Sequence, residues 1–378
     1  MTFRKSRKLE GVEISVIRQM NNKANPSTIN LGIGQLPYHP PLRLKKAGAQ
    51  AFLDGQIRYT PTKGILELRA LIAEEHERHT GKETNSENVI VTVGAEEALD
   101  IICRTSLDAG DEVLIPEIFF SVYATLPRLN LAIPTTYRLT PDFGIDLTDL
   151  ESKIKEKTRL VFINSPSNPT GRVLAQDELR SLADVLERHP NLYIVSDEIY
   201  SYLHFMDKLP PSMAEFSDRV IIVNGISKRA SATGLRIGWI IAPEDVTQEL
   251  VKLHQYAVTS AASPSQLAAI PVLKGECFED EEMYRTQLMV NRDLTAQRLS
   301  EIPNVSLTKP GGAFYCFPDI SYYGTSQEVA DRLLDEGNVL TIPGIAFGQR
   351  GNSYIRISYA ADVKELDKGL NIIKGVLL

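Results

Sequence analysis

At 378 residues the chain exceeds what one hydrophobic core usually organises, so two domains are expected. With 43% hydrophobic and 24% charged residues and a net charge of −7, it has a globular composition without the basic balance of a nucleic-acid binder. No apolar run reaches membrane-spanning length, the N-terminus lacks the apolar core of a secretion signal, and the scattered Cys103, Cys277 and Cys316 suit neither a disulfide framework nor a metal site.

A cytoplasmic protein is therefore expected, with no metal, nucleic-acid or membrane partner. The basic cluster Arg4, Lys5, Arg7 and Lys8 is too short to argue otherwise and reads as a solvated arm. The Gly-Ile-Gly of residues 32–34 lacks the third glycine of a dinucleotide fingerprint. From residue 89 the pattern becomes strand–helix–strand. Apolar runs at 89–93, 112–115, 133–139, 160–163, 193–195, 220–223 and 237–242 read as strands. Helix-like stretches lie between several of them: 95–107, and 175–188 with Leu179, Leu182, Ala183 and Leu186 on one face. Such alternation predicts an α/β large domain with a mostly parallel seven-stranded sheet covered by helices. After residue 278 the character changes. A long polar helix at 279–301 precedes short strands at 305–307 and 314–317, a helix at 327–336, a strand at 354–358 and a last helix. These form a smaller α+β domain built from both chain ends. The expected division is 1–44 (arm and part of the small domain), 45–278 (large domain) and 279–378 (small domain).

Three polar clusters follow strands, and strand ends are where such sheets bind ligands. The segment Asn164-Ser-Pro-Ser-Asn-Pro-Thr-Gly171 reads, alone, as a turn rich in Pro and Gly. Asp197-Glu-Ile-Tyr200 resembles the acidic strand end of a nucleotide hydrolase, but no GxxxxGK[ST] phosphate loop accompanies it. Ser227-Lys228, with Arg236 eight residues on, reads alone as solvated charge. Together, an Asp and a Lys at the tips of separate strands can face one ligand. Pyridoxal phosphate needs that pair: an amine for a Schiff base and a carboxylate to keep the pyridine nitrogen protonated.

In these segments the chain resembles the fold-type I aminotransferases of class I/II, the group that includes the aspartate and aromatic enzymes. The resemblance runs from about Asn30 to about Asp362. It also rests on Tyr59-Thr-Pro-Thr-Lys-Gly64, Gly94-Ala-Glu-Glu-Ala-Leu99, Gly234-Leu-Arg-Ile-Gly238, Pro310-Gly-Gly-Ala-Phe-Tyr315, Pro343-Gly-Ile-Ala-Phe-Gly348 and Tyr354-Ile-Arg-Ile-Ser358. It implies that Lys228 forms the Schiff base and shuttles the substrate's proton, that Asp197 pairs with the ring nitrogen, and that Asn168 and Tyr200 hydrogen-bond the ring oxygen. Phe120 would cover one ring face, with Ile199 on the other; on residue type alone Phe120 is as readily a core aromatic. Gly94, Ala95 and Glu96 would open a helix toward the phosphate, helped by Ser227 and Arg236. Arg356 would grip the substrate carboxylate bidentately, with Gly34 allowing close approach. Tyr59 would reach the phosphate of the neighbouring subunit in a homodimer.

One departure stands out. Many members carry Ser or Thr three residues before the lysine, where this chain has Gly225. Some dicarboxylate-specific members carry Lys at the position of Glu96, so a second carboxylate loses that support here. Tyr38 and His39 fall in a segment that often lines the side-chain pocket. The implied reaction moves an amino group between an L-amino acid and a 2-oxo acid. The alternative is a C–S β-lyase on the same scaffold. A ligand-sensing regulator would need a DNA-binding module, for which little chain precedes the first family motif.

Overall fold

All seven strand runs between residues 89 and 242 form, and they join one sheet. The computed structural model describes residues 4–378, so the first three residues of the expected arm fall outside it. In chain order the strands are β1 Ile29–Asn30, β2 Val89–Thr92, β3 Glu112–Pro116, β4 Ile133–Tyr137, β5 Thr158–Asn164, β6 Tyr193–Asp197, β7 Val220–Gly225 and β8 Gly238–Ile241. Strands β2 to β8 lie in the order β2-β8-β7-β6-β5-β3-β4. Only β8 runs antiparallel to its neighbours.

The Val- and Ile-rich runs suit strands covered on both faces. Successive side chains point to opposite faces, and the sequence feeds both. Val91, Val161, Ile163, Ile194 and Ile222 enter one core, while Ile90, Leu160, Phe162, Val195 and Val223 enter the other. The half-exposed edge strand β4 carries Pro134, whose missing N–H is tolerated at an edge. The helix Ala95–Ser106 covers one face with Ile101 and Ile102. The helix Gln176–Glu187 covers the other with Leu179, Leu182, Ala183 and Leu186, and the Glu178 carboxylate fixes its start by accepting the Ala175 N–H at 2.7 Å.

Register sets up the chemistry. Asn164 lies opposite Asp197, Asp197 opposite Val223, and Gly238 opposite both Gly225 and Thr92. The tips of β2, β5, β6 and β7 therefore end at one edge of the sheet, together with the start of β8.

Beyond it come β9 Tyr315–Cys316, β10 Val339–Leu340, β11 Ile342–Pro343 and β12 Ile355–Ser358. Strands β11, β12 and β9 form an antiparallel sheet, and β10 pairs in parallel with β1 from the other end of the chain. Ile29 and Leu31 share a core with Leu333, Val339, Leu366 and Leu370, to which the helices Ser326–Gly337 and Val363–Leu377 contribute. The expected strand at 305–307 does not form. Only Ser306 bridges, to Asp319, because Asn304 is left-handed (φ 58°) and Pro303 and Pro310 flank the segment. Among the described residues no helix is long and apolar enough to cross a membrane.

Candidate active site

A cavity of about 340 Å³ opens at the aligned strand tips, and its wall brings together Gly34, Ala95, Glu96, Phe120, Asn168, Asp197, Ile199, Tyr200, Ser227, Lys228, Arg236 and Arg356. Lys228 lies in the single helical turn Ile226–Arg229, directly after β7. Its Nζ donates to the Gly34 carbonyl at 2.6 Å and lies 5.9 Å and 5.8 Å from the ring centres of Tyr200 and Phe314. Burial, and then the positive charges of Arg356 and Arg236, lower the amine from its ordinary 10.5 to about 8, against the pull of Asp197. A substantial neutral fraction is thus present near physiological pH.

Asp197 ends β6 and is buried. Tyr123 Oη donates to its Oδ2 at 2.7 Å and the Ile199 N–H to its Oδ1 at 3.2 Å. Burial raises the carboxyl to about 6, although both hydrogen bonds and Lys228 oppose the rise, so it remains mostly ionised at neutral pH. Asn164 links this tip to the next loop: its Nδ2 donates to the Asp197 carbonyl at 2.8 Å, and its Oδ1 accepts the Asn168 N–H at 2.7 Å.

Arg356 in β12 is 2% exposed, with its guanidinium carbon 4.3 Å from the Tyr315 ring centre and 4.9 Å from that of Phe347. Its Nη1 donates to Asn168 Oδ1 at 2.9 Å and its Nη2 to the Gly32 carbonyl at 2.7 Å. Its buried Nε has no partner among the described residues. That arrangement leaves both amide hydrogens of Asn168 available as donors. Burial works against the Arg356 charge, with Tyr315 and Tyr200 favouring it, and a guanidinium stays cationic in water's pH range. Tyr200 and Tyr315 place their hydroxyls 3.3 Å apart. Burial pushes the Tyr200 phenol well above its ordinary range, so it is a hydrogen-bond donor.

At the opposite end, Gly94 turns β2 into the helix Ala95–Ser106 with φ 85°. A Cβ there would stand 2.5 Å from Arg236 Nη2, so the guanidinium lies directly over the turn. The N–H groups of Ala95 and Glu96 open the helix and have no partner within it. Gly225 also finds its reason. It is extended, but a Cβ would meet the Ile237 carbonyl at 2.7 Å and Gly238 Cα at 2.9 Å, so β7 and β8 touch too closely for Ser or Thr.

Pyridoxal phosphate fits these residues. Arg236 over open helix amides makes an anion cradle, Asp197 offers a fixed negative charge, and Lys228 lies near both. Arg356 keeps one buried donor unpaired in the same cavity. Tyr59 is not part of this wall; it is 88% exposed. Tyr38 and His39 are also elsewhere. Tyr38 stacks on Tyr284 with ring centres 5.0 Å apart and lines a neighbouring apolar groove, while the His39 carbonyl accepts from Tyr284 Oη at 2.7 Å. Neither lines the cavity itself. The sequence reading missed Tyr123, Tyr315 and Phe347, and also Ile17 and Ile33, which line the cavity from the N-terminal segment. Tyr315 and Phe347 lay inside noted motifs, whereas nothing in the sequence singled out Tyr123.

The model of the family described as aminotransferase class I and II matches residues 26–373. An aspartate aminotransferase of Pyrococcus horikoshii is 36% identical over 97% of this chain and 95% of that protein. The aromatic-amino-acid aminotransferase 2 of Thermococcus litoralis is 35% identical over 98% of each. Among solved structures, the Thermus thermophilus aspartate aminotransferase with maleate superposes with a TM-score of 0.94 at 29% identity, covering 99% of this chain and 100% of that one.

Proposed function

A member of the class I and II aminotransferase family, this chain moves amino groups between amino acids and 2-oxo acids with pyridoxal phosphate, and we propose that Lys228, Asp197 and Arg356 divide that work. Bound pyridoxal phosphate supplies the electron sink for the pair left at Cα when its proton departs. Lys228 is the amine that holds the cofactor. Once displaced by the substrate's own amine, its Nζ takes and returns the Cα proton. Asp197 keeps the ring nitrogen protonated through its charge. Tyr123 and the Ile199 N–H hold that carboxylate in place. Asn168 and Tyr200 donate to the ring oxygen. Phe120 and Ile199 cover the two faces of the ring. Arg236, Ser227 and the amides that follow Gly94 hold the phosphate. Arg356 holds the substrate's α-carboxylate, beside the backbone at Gly34.

The observation that carries this reading is the meeting of Lys228, Asp197 and Arg356, from three separate elements, in one cavity. Of the cations in its wall, Lys228 and Arg236 face the cofactor and Arg356 the α-carboxylate. No further cation of this chain's described residues lines it. Ile17, Ile33 and the exposed carboxylate of Glu96 favour a donor with a neutral side chain, although relatives are named for aspartate as well as for aromatic amino acids. Tyr59 serves the partner's phosphate in a homodimer, and the protein works in the cytoplasm, in keeping with three free, buried cysteines. The large unit spans 45–278 and the small one 279–378 with 1–44, a division supported by the seven-stranded sheet lying wholly in the first and by the pairing of β1 with β10 in the second.

One assay tests the reading. The purified protein with 2-oxoglutarate and a panel of L-amino acids should form glutamate, faster from phenylalanine or methionine than from aspartate. Lys228→Ala should lose the activity, by at least about 10³-fold, together with the visible absorption of the attached cofactor. A fully active Lys228→Ala protein would move the chemistry to another residue. A preference for aspartate would overturn the neutral side-chain reading. Ammonia and pyruvate released without an amino acceptor would favour the lyase.

A further inference from the structure

Behind the turn that carries Gly94 lies a pair of ionisable side chains that the chemistry above does not use. Glu97 is the third residue of the helix Ala95–Ser106, and its side chain folds back past the helix start. Its Oε2 accepts the Val93 N–H at 2.8 Å, and its Oε1 is 2.8 Å from His254 Nδ1. His254 belongs to the helix Glu244–Val258, and its side chain is fully buried. Glu97 Oε1 lies within hydrogen-bond distance of Nδ1, while the other ring nitrogen, Nε2, is buried without a partner among the described residues. Among the described residues the His254 side chain therefore has one polar contact, and that contact is Glu97. Neither residue lines the cavity, so neither touches substrate or cofactor.

The turn they brace is tightly enclosed. Thr92 Oγ1 donates to the Gly94 carbonyl at 3.0 Å, and a Cβ on Gly238 of β8 would stand 2.5 Å from the Ala95 nitrogen. The Arg236 guanidinium also packs against Gly94, 2.5 Å from where a Cβ would stand. The chain thus enters the helix through a peptide fixed by a hydroxyl, a carboxylate and a neighbouring strand. Where the Ala95 and Glu96 amides point follows from how the Val93–Gly94 link is held. A misplacement of about 1 Å is enough to weaken hydrogen bonds to an anion.

We propose that Glu97 and His254 are positioning residues for the phosphate cradle, with His254 orienting the Glu97 carboxylate that fixes the turn before the helix. The proposal rests on the reading that this helix start holds the cofactor's phosphate. It separates phosphate recognition from general stability, because pyridoxal, which lacks the phosphate, samples only the rest of the site.

The test compares cofactor affinity by absorption titration of protein regenerated from holoenzyme, with pyridoxal phosphate and with pyridoxal. Glu97→Ala should raise the dissociation constant for pyridoxal phosphate about tenfold, the size of one good hydrogen bond. The constant for pyridoxal, and kcat at saturating pyridoxal phosphate, should stay within about twofold. Glu97→Gln should restore most of the affinity, since its carbonyl accepts from Val93 and its amide donates to the His254 tautomer with an unprotonated Nδ1. His254→Phe should behave like Glu97→Ala, and His254→Asn should recover part of the loss. The second pair keeps the test alive if the Ala variant is poorly folded. Proportional weakening of both cofactors, or unchanged affinity for pyridoxal phosphate, overturns the positioning role. A wild-type protein that binds the two cofactors equally would instead overturn the phosphate reading beneath it, and the proposal with it.

Discussion

At the scale of single residues, the decisive property is charge held out of water. Lys228 titrates near 8 because burial acts first, and Arg356 and then Arg236 repel its proton. The neutral, nucleophilic amine grows as pH rises through that value, so uptake of pyridoxal phosphate should quicken toward a plateau above about pH 8. Arg356→Gln removes the second-largest cause, so the amine's pKa rises and the whole limb should shift to higher pH. Stopped-flow absorption measured from pH 6 to about 10 reads this directly. A limb that stays in place would mean that Arg356 does not act on the amine. In the sequence, Lys228 and Arg356 read alone as ordinary charges; the strand pattern drew attention to Asp197 and Lys228 together, and the resemblance to a family added Arg356. Their supports were not legible there. Tyr123 reaches Asp197 across 74 positions, and the Tyr315 and Phe347 rings enclose Arg356 by packing. Aromatic residues look like ordinary core until the fold shows which polar atom they meet.

Between elements, one ion cluster joins three helical segments that the sequence does not connect. Arg229, next to Lys228, pairs with Glu75 of the helix Leu66–Thr80 at 2.7 Å and with Glu281 of the helix Phe278–Ser300 at 2.9 Å, and its guanidinium carbon lies 3.7 Å from the Tyr202 ring centre. Arg229→Met would leave two partly buried carboxylates facing each other without their cation. A loss of about 3–5 kcal/mol is expected by denaturant unfolding. Adding Glu281→Gln should return part of it, and an unaltered midpoint would show the cluster to be dispensable. Elements themselves differed in how readable they were. The sheet strands announce themselves as β-branched runs long enough to show a pattern. Three of the four two-residue strands, β1, β10 and β11, are too short to show a pattern, whereas β9 falls within the apolar run at 314–317; the run at 305–307 looks like a strand but has only one pairing residue. Gly225 illustrates the same limit: its absence of a side chain reads as a departure from a motif until β8 is seen pressing against it.

For the whole molecule, a short segment with several apolar side chains remains in water in the single chain. Phe52, Leu53, Ile57 and Tyr59 are each more than 60% exposed. The groove lined by Leu36, Tyr38, Phe52 and Ile57 reaches the active cavity through Gln35 and Thr233, which line both. A dimer in which Tyr59 crosses over makes a specific prediction. Tyr59→Ala and Lys228→Ala chains, each impaired alone, should regain one working site per hybrid dimer when mixed and refolded, giving up to about half of wild-type activity per hybrid. Sedimentation should give twice the 42.0 kDa of one chain. Mixtures that stay inactive would assign Tyr59 to its own subunit. The pairing of β1 with β10 has a consequence in time as well as in space. Residue 29 leaves the ribosome long before residue 339, and at about 5–20 residues per second the gap lasts roughly 15–60 s. Throughout it, Ile29 and Leu31 have neither their strand nor their core. Some of the earliest residues made are thus among the last to be seated, and newly synthesised protein offers this segment to chaperones for most of its time on the ribosome.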